Sequence, residues 1–227
     1  MKKILTILSL FAILSLYLTV PCDAGEKNIF VKKSSAHKKV ALTFDDGPHP
    51  IYTPRILDIL EEYGVSATFF VIGQNVENYP EAAKRLLESD CEIGNHTYSH
   101  QNVGTMSYDQ VTNEIRKTEE AIAKISNRKP SLFRPPEGSC GASLRQVSFD
   151  RGYDIILWSI DTKDWAHTPS GKITSTVLEK ISDGDVILMH DYTSGGCPSC
   201  DALRAIIPKL LEDGYEFVTI SELLYEE

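Results

Sequence analysis

Short runs of β-branched and aromatic residues alternate with helical patterns along this chain, and that alternation restricts its fold more than any other feature. The predicted strands are 39–44, 67–72, 91–95, 131–134, 154–160, 185–189 and 215–219. Thr53-Pro54 predicts a cap and first helical position for a helix carrying Ile56, Leu57, Ile59 and Leu60 and stopping at Gly64. Over 107–126, Val111, Ile115, Thr118, Ile122 and Ile125 fall on one helical stripe. Pro80 opens another helix, and Cys200 to Asp213 forms one that ends at Gly214. Seven such alternations imply a parallel sheet covered by helices, either doubly wound or closed into a barrel. Seven units fall short of the usual eight-fold barrel, and periodicity does not decide closure.

The first residues differ from the rest. Lys2 and Lys3 precede an uncharged run of 17 residues, Ile4 to Val20, followed by Pro21-Cys22-Asp23-Ala24-Gly25. A basic start, an apolar stretch and a small residue at the cut site describe a secretory signal peptide over 1–24. An uncleaved membrane anchor and a lipid on Cys22 are the competing readings. Residues 25–37 read as a short polar leader, and 38–227 as one domain. Cleavage would leave 21 basic and 31 acidic residues, a formal charge of −10. No dense basic stripe occurs, which argues against nucleic acid as a partner. Of the remaining cysteines, Cys197-Pro198-Ser199-Cys200 lacks the second pair a zinc motif needs, so a loop staple or free thiols fit it better than a redox site.

Parallel α/β folds gather their chemistry at the carboxyl ends of the strands. Asp45 and Asp46 end the first predicted strand, His96 the third, Arg134 the fourth, Asp161 the fifth and His190 the sixth. Each has an ordinary structural explanation. Asp-Asp-Gly-Pro suits a turn, and a lone histidine or arginine often merely ends a strand. Scattered surface charges would not all fall on one rim, however. The His96/His100 spacing would place both imidazoles on one helix face, a common zinc arrangement, and Asp46 would add a third ligand, leaving room for water. Arg134, before two prolines, stands in extended backbone suited to holding a carboxylate by two hydrogen bonds. A carboxylate beside His190 would orient it and favour its protonated form.

Taken in order, Thr43-Phe44-Asp45-Asp46-Gly47-Pro48, His96-Thr97-Tyr98-Ser99-His100, Arg134-Pro135-Pro136, Asp161-Thr162-Lys163-Asp164-Trp165 and Leu188-Met189-His190 resemble the polysaccharide deacetylase family. That family is also called the NodB homology domain or carbohydrate esterase family 4. The resemblance spans roughly 38–224. It implies a distorted (β/α) barrel of about seven parallel strands with its catalytic rim at the strand C-termini. It further implies Asp45 as general base, with Arg134 holding it. Asp46, His96 and His100 would bind one divalent metal, zinc first, with cobalt or nickel as alternatives. His190 would be the general acid, tuned by Asp164. Trp165 and Leu188 would wall the acetyl pocket, with Pro136 and Glu137 on the substrate side.

The implied activity is hydrolysis of N-acetyl groups on N-acetylglucosamine residues of peptidoglycan or chitin-like oligomers. O-deacetylation of acetylated xylan and non-catalytic glycan binding are the rivals. An acetylated glycan is the expected partner of a monomer with no obligate protein partner. Two features depart from the family pattern. Glu137 stands where a tyrosine is usual, and its carboxylate is expected to disfavour substrates with an acidic group near the reacting sugar. The cysteines are also unusual. A bridge is expected between Cys140 and one of Cys197 and Cys200, or between Cys197 and Cys200, with Cys91 unpaired at the far end.

Overall fold

The computed structural model describes residues 29–193 and 196–225. The expected signal peptide therefore lies outside the described residues. In chain order the elements are β1 (Ile29–Phe30), β2 (Lys39–Asp45), α1 (Tyr52–Tyr63), β3 (Thr68–Val71), α2 (Gly73–Asn78), α3 (Pro80–Glu88) and β4 (Glu92–Asn95). Then follow α4 (Tyr108–Ala123), β5 (Leu132–Phe133), α5 (Ala142–Arg151), β6 (Asp154–Ile156), β7 (Ile160–Asp161) and α6 (Ser170–Lys180). The last are β8 (Val186–His190), α7 (Pro198–Glu212), β9 (Glu216–Phe217) and α8 (Ile220–Tyr225).

The strands run parallel in the order β1-β6-β5-β4-β3-β2-β8-β7, and β9 pairs with the start of β2. The sheet curls with helices around it, a distorted (β/α) barrel that leaves β7 and β1 as edges. Strand alternation in β2 shows how the sequence sorts itself. Val40, Leu42 and Phe44 pack outward in the main core with Ile56, Leu60 and Ile206, whereas Ala41 packs inward with Phe70 and Ile156. Inside, Thr43 donates to the Ile187 carbonyl at 2.7 Å, and Asp45 is only 3% exposed. Ile220 and Leu223 of α8 belong to the same inner cluster.

Three expectations are revised. The strand predicted over 154–160 is two, because the chain breaks step between Ile156 and Ile160 and places Trp158 in the gap. In the stretch read as a leader, Ile29 and Phe30 pair with Ile155 and Ile156, and Ala36 is buried. Helix α1 begins at Tyr52, so Thr53 is not its cap. The Thr53 hydroxyl instead accepts from His49 N at 2.7 Å and donates to Asp191. Gly64 ends α1 in a left-handed conformation, φ 64°, as the sequence suggested. Ser107 caps α4 with a capping box to Gln110.

Candidate active site

β2, β4, β5 and β8 deliver Asp45, Asn95, Phe133 and His190 to one end of the sheet, and the site is built there. In the register of the sheet Asp45 lies opposite His190 across the β2–β8 pair. Asp46 follows at φ 77°, a left-handed turn that directs successive carboxylates differently. Asn75 donates to the Asp46 carbonyl at 2.7 Å and fixes that turn from α2. Gly47 is required for a different reason: a Cβ there would lie 2.1 Å from the buried Asp191 carboxylate. Burial pushes the Asp191 carboxyl up to about 7.

His96 and His100 do not sit on a helix. They occupy the loop after β4, where Thr97 and His100 adopt φ of 68° and 56° and bend the chain back. Asn95 Oδ1 accepts from Thr97 N at 2.9 Å, and Thr97 Oγ1 from His100 N at 2.9 Å. From α4 the buried Glu114 carboxylate accepts from Tyr98 N, Ser99 N and Ser99 Oγ at 3.0, 2.8 and 2.9 Å. Glu114, Asn95 and Asn75 were not identified from the sequence, since nothing in their local spacing marks them.

His96 Nδ1 lies 2.7 Å from the Arg134 carbonyl, which can only accept. Nδ1 therefore carries a proton, and Nε2 faces the rim, where loss of its own proton would free its lone pair for a cation. Asp46 Oδ1 is 3.4 Å from that Nε2 and 3.1 Å from His100 Nε2. It is buried and, among the described residues, has no hydrogen-bond donor of its own. Burial alone would raise the Asp46 carboxyl, but the two imidazoles beside it outweigh burial and hold it far below the usual carboxylate range. One carboxylate oxygen and two imidazole nitrogens, all within 4.8 Å of one another, fit a divalent cation with open positions.

Arg134 is wholly buried inside the barrel, 4.1 Å above the Phe70 ring. It does not grip a carboxylate bidentately, as its sequence context suggested. One Nη donates to both Asp45 Oδ1 and Thr43 Oγ1 at 2.8 Å. Nε and the other Nη serve the Ile156 and Leu157 carbonyls at 3.2 and 3.1 Å. Those carbonyls lie where β6 ends and strand pairing stops, so the break described above supplies two acceptors. Asp45 thus has one oxygen committed to Arg134, while Oδ2 lies 3.8 Å from His96 Nε2.

Opposite, Asp164 opens a 3-10 turn after β7 and is 1% exposed. Its Oδ1 accepts from His190 Nδ1 at 2.7 Å and from Trp165 N at 3.0 Å, and its Oδ2 accepts from His190 N at 2.8 Å. Burial pulls the His190 imidazole down, but the Asp164 hydrogen bond and charge outweigh it and raise its pKa to about 9. Leu188 is buried, 3% exposed, whereas Trp165 is 56% exposed on the rim. Pro136 is buried, and Glu137 is exposed in a left-handed conformation, φ 58°, with Oε2 accepting from Asn102 at 2.6 Å. Cys197 and Cys200 are bridged, the second of the expected pairings, and Cys91 and Cys140 are free.

A family model described as polysaccharide deacetylase matches residues 32–156. A peptidoglycan-N-acetylglucosamine deacetylase of Bacillus cereus is 41% identical over 186 residues, covering 82% of this chain and 68% of that protein. The peptidoglycan-N-acetylglucosamine deacetylase PgdA of Listeria monocytogenes is 40% identical over 197 residues, covering 87% of this chain but 41% of its own length. The chain thus spans less than half of that relative. The crystal structure of the Bc1960 peptidoglycan N-acetylglucosamine deacetylase superposes with a TM-score of 0.81 at 40% identity, over 86% of this chain and 91% of that one.

Proposed function

The chain belongs to the polysaccharide deacetylase family, and from that premise we propose that it hydrolyses the N-acetyl groups of N-acetylglucosamine residues, in peptidoglycan first and in chitin-like oligomers second. One observation carries the reading: a carboxylate held by arginine, three side chains able to ligate a cation and an imidazole bonded to a buried carboxylate share one rim. A binding surface needs neither a base nor an acid.

Asp46, His96 and His100 would hold a divalent cation, zinc in preference to cobalt or nickel, and such an ion would supply Lewis acidity toward the acetyl carbonyl and a bound water. The remaining work falls to the chain. Arg134 occupies Asp45 Oδ1, so Oδ2 is the oxygen placed to take the proton from the attacking water. Gly138 N and Ser139 N are bonded to the Pro135 and Pro136 carbonyls, so the backbone donor assigned to the developing oxyanion is Glu137 N. His190 keeps its Nδ1–H on Asp164 and delivers the proton on Nε2 to the departing amine. Trp165 and Leu188 bound the acetyl methyl, and Pro136 and Glu137 face the sugar. No acyl-enzyme forms.

We place the protein outside the cytoplasm, after removal of residues 1–24, as a monomer acting on an acetylated glycan. Its Cys197–Cys200 bridge supports an oxidising compartment. The test is acetate release from peptidoglycan, N-acetylglucosamine oligomers and acetylated xylan, with and without a chelator and with Asp45→Asn as control. Release from the first two that is lost with chelator and in the variant is expected. Release from xylan alone would replace the amide reading with an ester one. Release unaffected by Asp45→Asn would remove the catalytic assignment.

A further inference from the structure

The pair Cys197 and Cys200 stands at a place where a staple can affect chemistry. Cys197 is the residue before α7, and Cys200 lies in its first turn, 1% exposed. The body of α7 is fixed in the main core by Leu203, Ile206, Ile207 and Leu210. Its first turn packs there through Cys200 and Ala202, and a covalent tie adds to that packing at an end where helices fray. The bridge supplies that tie, and Cys197 Sγ also accepts from Cys200 N at 3.2 Å.

Ser199 lies between the two cysteines and is fully buried. Its hydroxyl donates to Asp164 Oδ2, the oxygen that also accepts His190 N. Asp164 Oδ1 receives the His190 Nδ1–H and Trp165 N. Among the described residues these four donors are the carboxylate's hydrogen bonds, and of them only Ser199 comes from a neighbouring helix. The turn that carries Asp164 has left-handed residues on both sides, Lys163 at φ 56° and His167 at φ 58°, a conformation that persists only where surrounding contacts hold it, and the Ser199 hydrogen bond is one of them.

We propose that Ser199 is a positioning residue for the proton-donating pair Asp164–His190, and that the Cys197–Cys200 bridge keeps it in place, so that reducing the bridge lowers turnover. The inference rests on the deacetylase reading above. Cys197 is half-buried and borders a cleft it shares with Asp164, Thr193 and Asp201, which gives a reductant access. With a water-soluble phosphine the step is one phosphine, one water and one disulfide giving a phosphine oxide and two thiols. Both electrons come from phosphorus, and water supplies the oxygen and both protons.

The experiment compares kcat and KM for acetate release by oxidised and phosphine-reduced protein, in wild type, in Ser199→Ala and in Cys197→Ser/Cys200→Ser. Misplacing a catalytic group slightly can cost up to about a hundredfold, and a loosened hydrogen bond costs less. The expected result is a roughly tenfold fall in wild-type kcat on reduction, with KM unchanged and recovery on reoxidation. Ser199→Ala should start about tenfold low and lose less than twofold more on reduction. The double cysteine variant should match reduced wild type and ignore phosphine, which excludes an effect on the metal. Multiplying losses in Ser199→Ala, or its wild-type kcat, would overturn the proposal.

The low-field proton resonance of the His190 Nδ1–H provides a readout that needs no turnover. It should be present in oxidised wild type and broadened or lost in Ser199→Ala and after reduction. Failure of oxidised wild type to release acetate from any of the glycans would remove the deacetylase reading. An unchanged resonance would by itself remove the clamp.

Discussion

The two halves of the candidate site do the same kind of work with different materials. On the base side, Asp45 ends a central strand and its partner Arg134 is sealed in the barrel, bonded to two backbone carbonyls and lying over Phe70. On the acid side, only His190 belongs to the sheet. Asp164 comes from a short turn, and its outer support, Ser199, comes from the first turn of a helix. The proposed base is therefore oriented by the core, and the proposed acid by parts attached to it. Damage to the first should cost folding and catalysis together, whereas damage to the second should cost catalysis with much less effect on the fold.

Arg134→Met gives the largest expected effect. Methionine fills part of the same space, but it leaves the Asp45 carboxylate without its counter-charge and three carbonyl or hydroxyl acceptors without their donor. Breaking a buried pair in this way costs about 3–5 kcal/mol, and an unaligned base costs about 10²–10⁴ in rate. Urea denaturation and acetate release should report both losses. A variant as stable as wild type would dissolve the contrast between the halves, because it would mean that the core does not depend on the Arg134–Asp45 pair.

Asp164→Asn tests the other half and should be milder. The carboxylate outweighs burial and raises the His190 pKa to about 9, so in wild type the proposed proton donor should be lost only as pH rises past about 9. Asparagine removes that charge, and the alkaline limb of kcat should move down by at least about one unit, toward the ordinary histidine value. The linkage has the matching sign. Because the folded pKa lies above the unfolded 6.5, the pair stabilises the chelated protein fully below about 6.5, and this is lost as pH rises to about 9. The stability gap between wild type and variant should be at most about 3 kcal/mol, and it should close across that window. A gap that widened with pH would mean that the imidazole is held neutral.

How far the sequence revealed each half follows the same division. Asp45, Asp46, His96 and His190 were legible because they end strands whose β-branched and aromatic composition is unmistakable. Arg134 was legible as a site residue but not in its bonding, since two of its acceptors appear only where β6 ends and Trp158 interrupts the expected strand. The His96/His100 spacing suggested a helix, yet two left-handed residues close the same distance in a loop. Glu114, which gathers that loop, is remote in sequence and lies within an ordinary amphipathic pattern. Ser199 was hidden between two cysteines that read as a simple staple. Local patterns brought out the residues proposed to act, while the residues that hold them depend on tertiary approach.

Glu137→Tyr should give the smallest effect, and it asks whether the base-side rim also sets substrate preference. Glu137 is exposed, and Asn102 fixes one of its oxygens at 2.6 Å, so its charge stands at the mouth of the site in a defined place. Its backbone N–H survives the substitution, so kcat on neutral N-acetylglucosamine oligomers should change by no more than about twofold. Under the proposed reading the carboxylate would repel a substrate that carries an acidic group beside the reacting sugar. Removing it should lower KM for such glycans by about two- to fivefold, the scale of a solvent-screened charge contact. That gain should shrink in 0.5 M salt, because screening already weakens the repulsion in wild type. Equal preference for neutral and acidic glycans before and after the change would show that Glu137 is a bystander, and that the base-side rim contributes alignment but no selection.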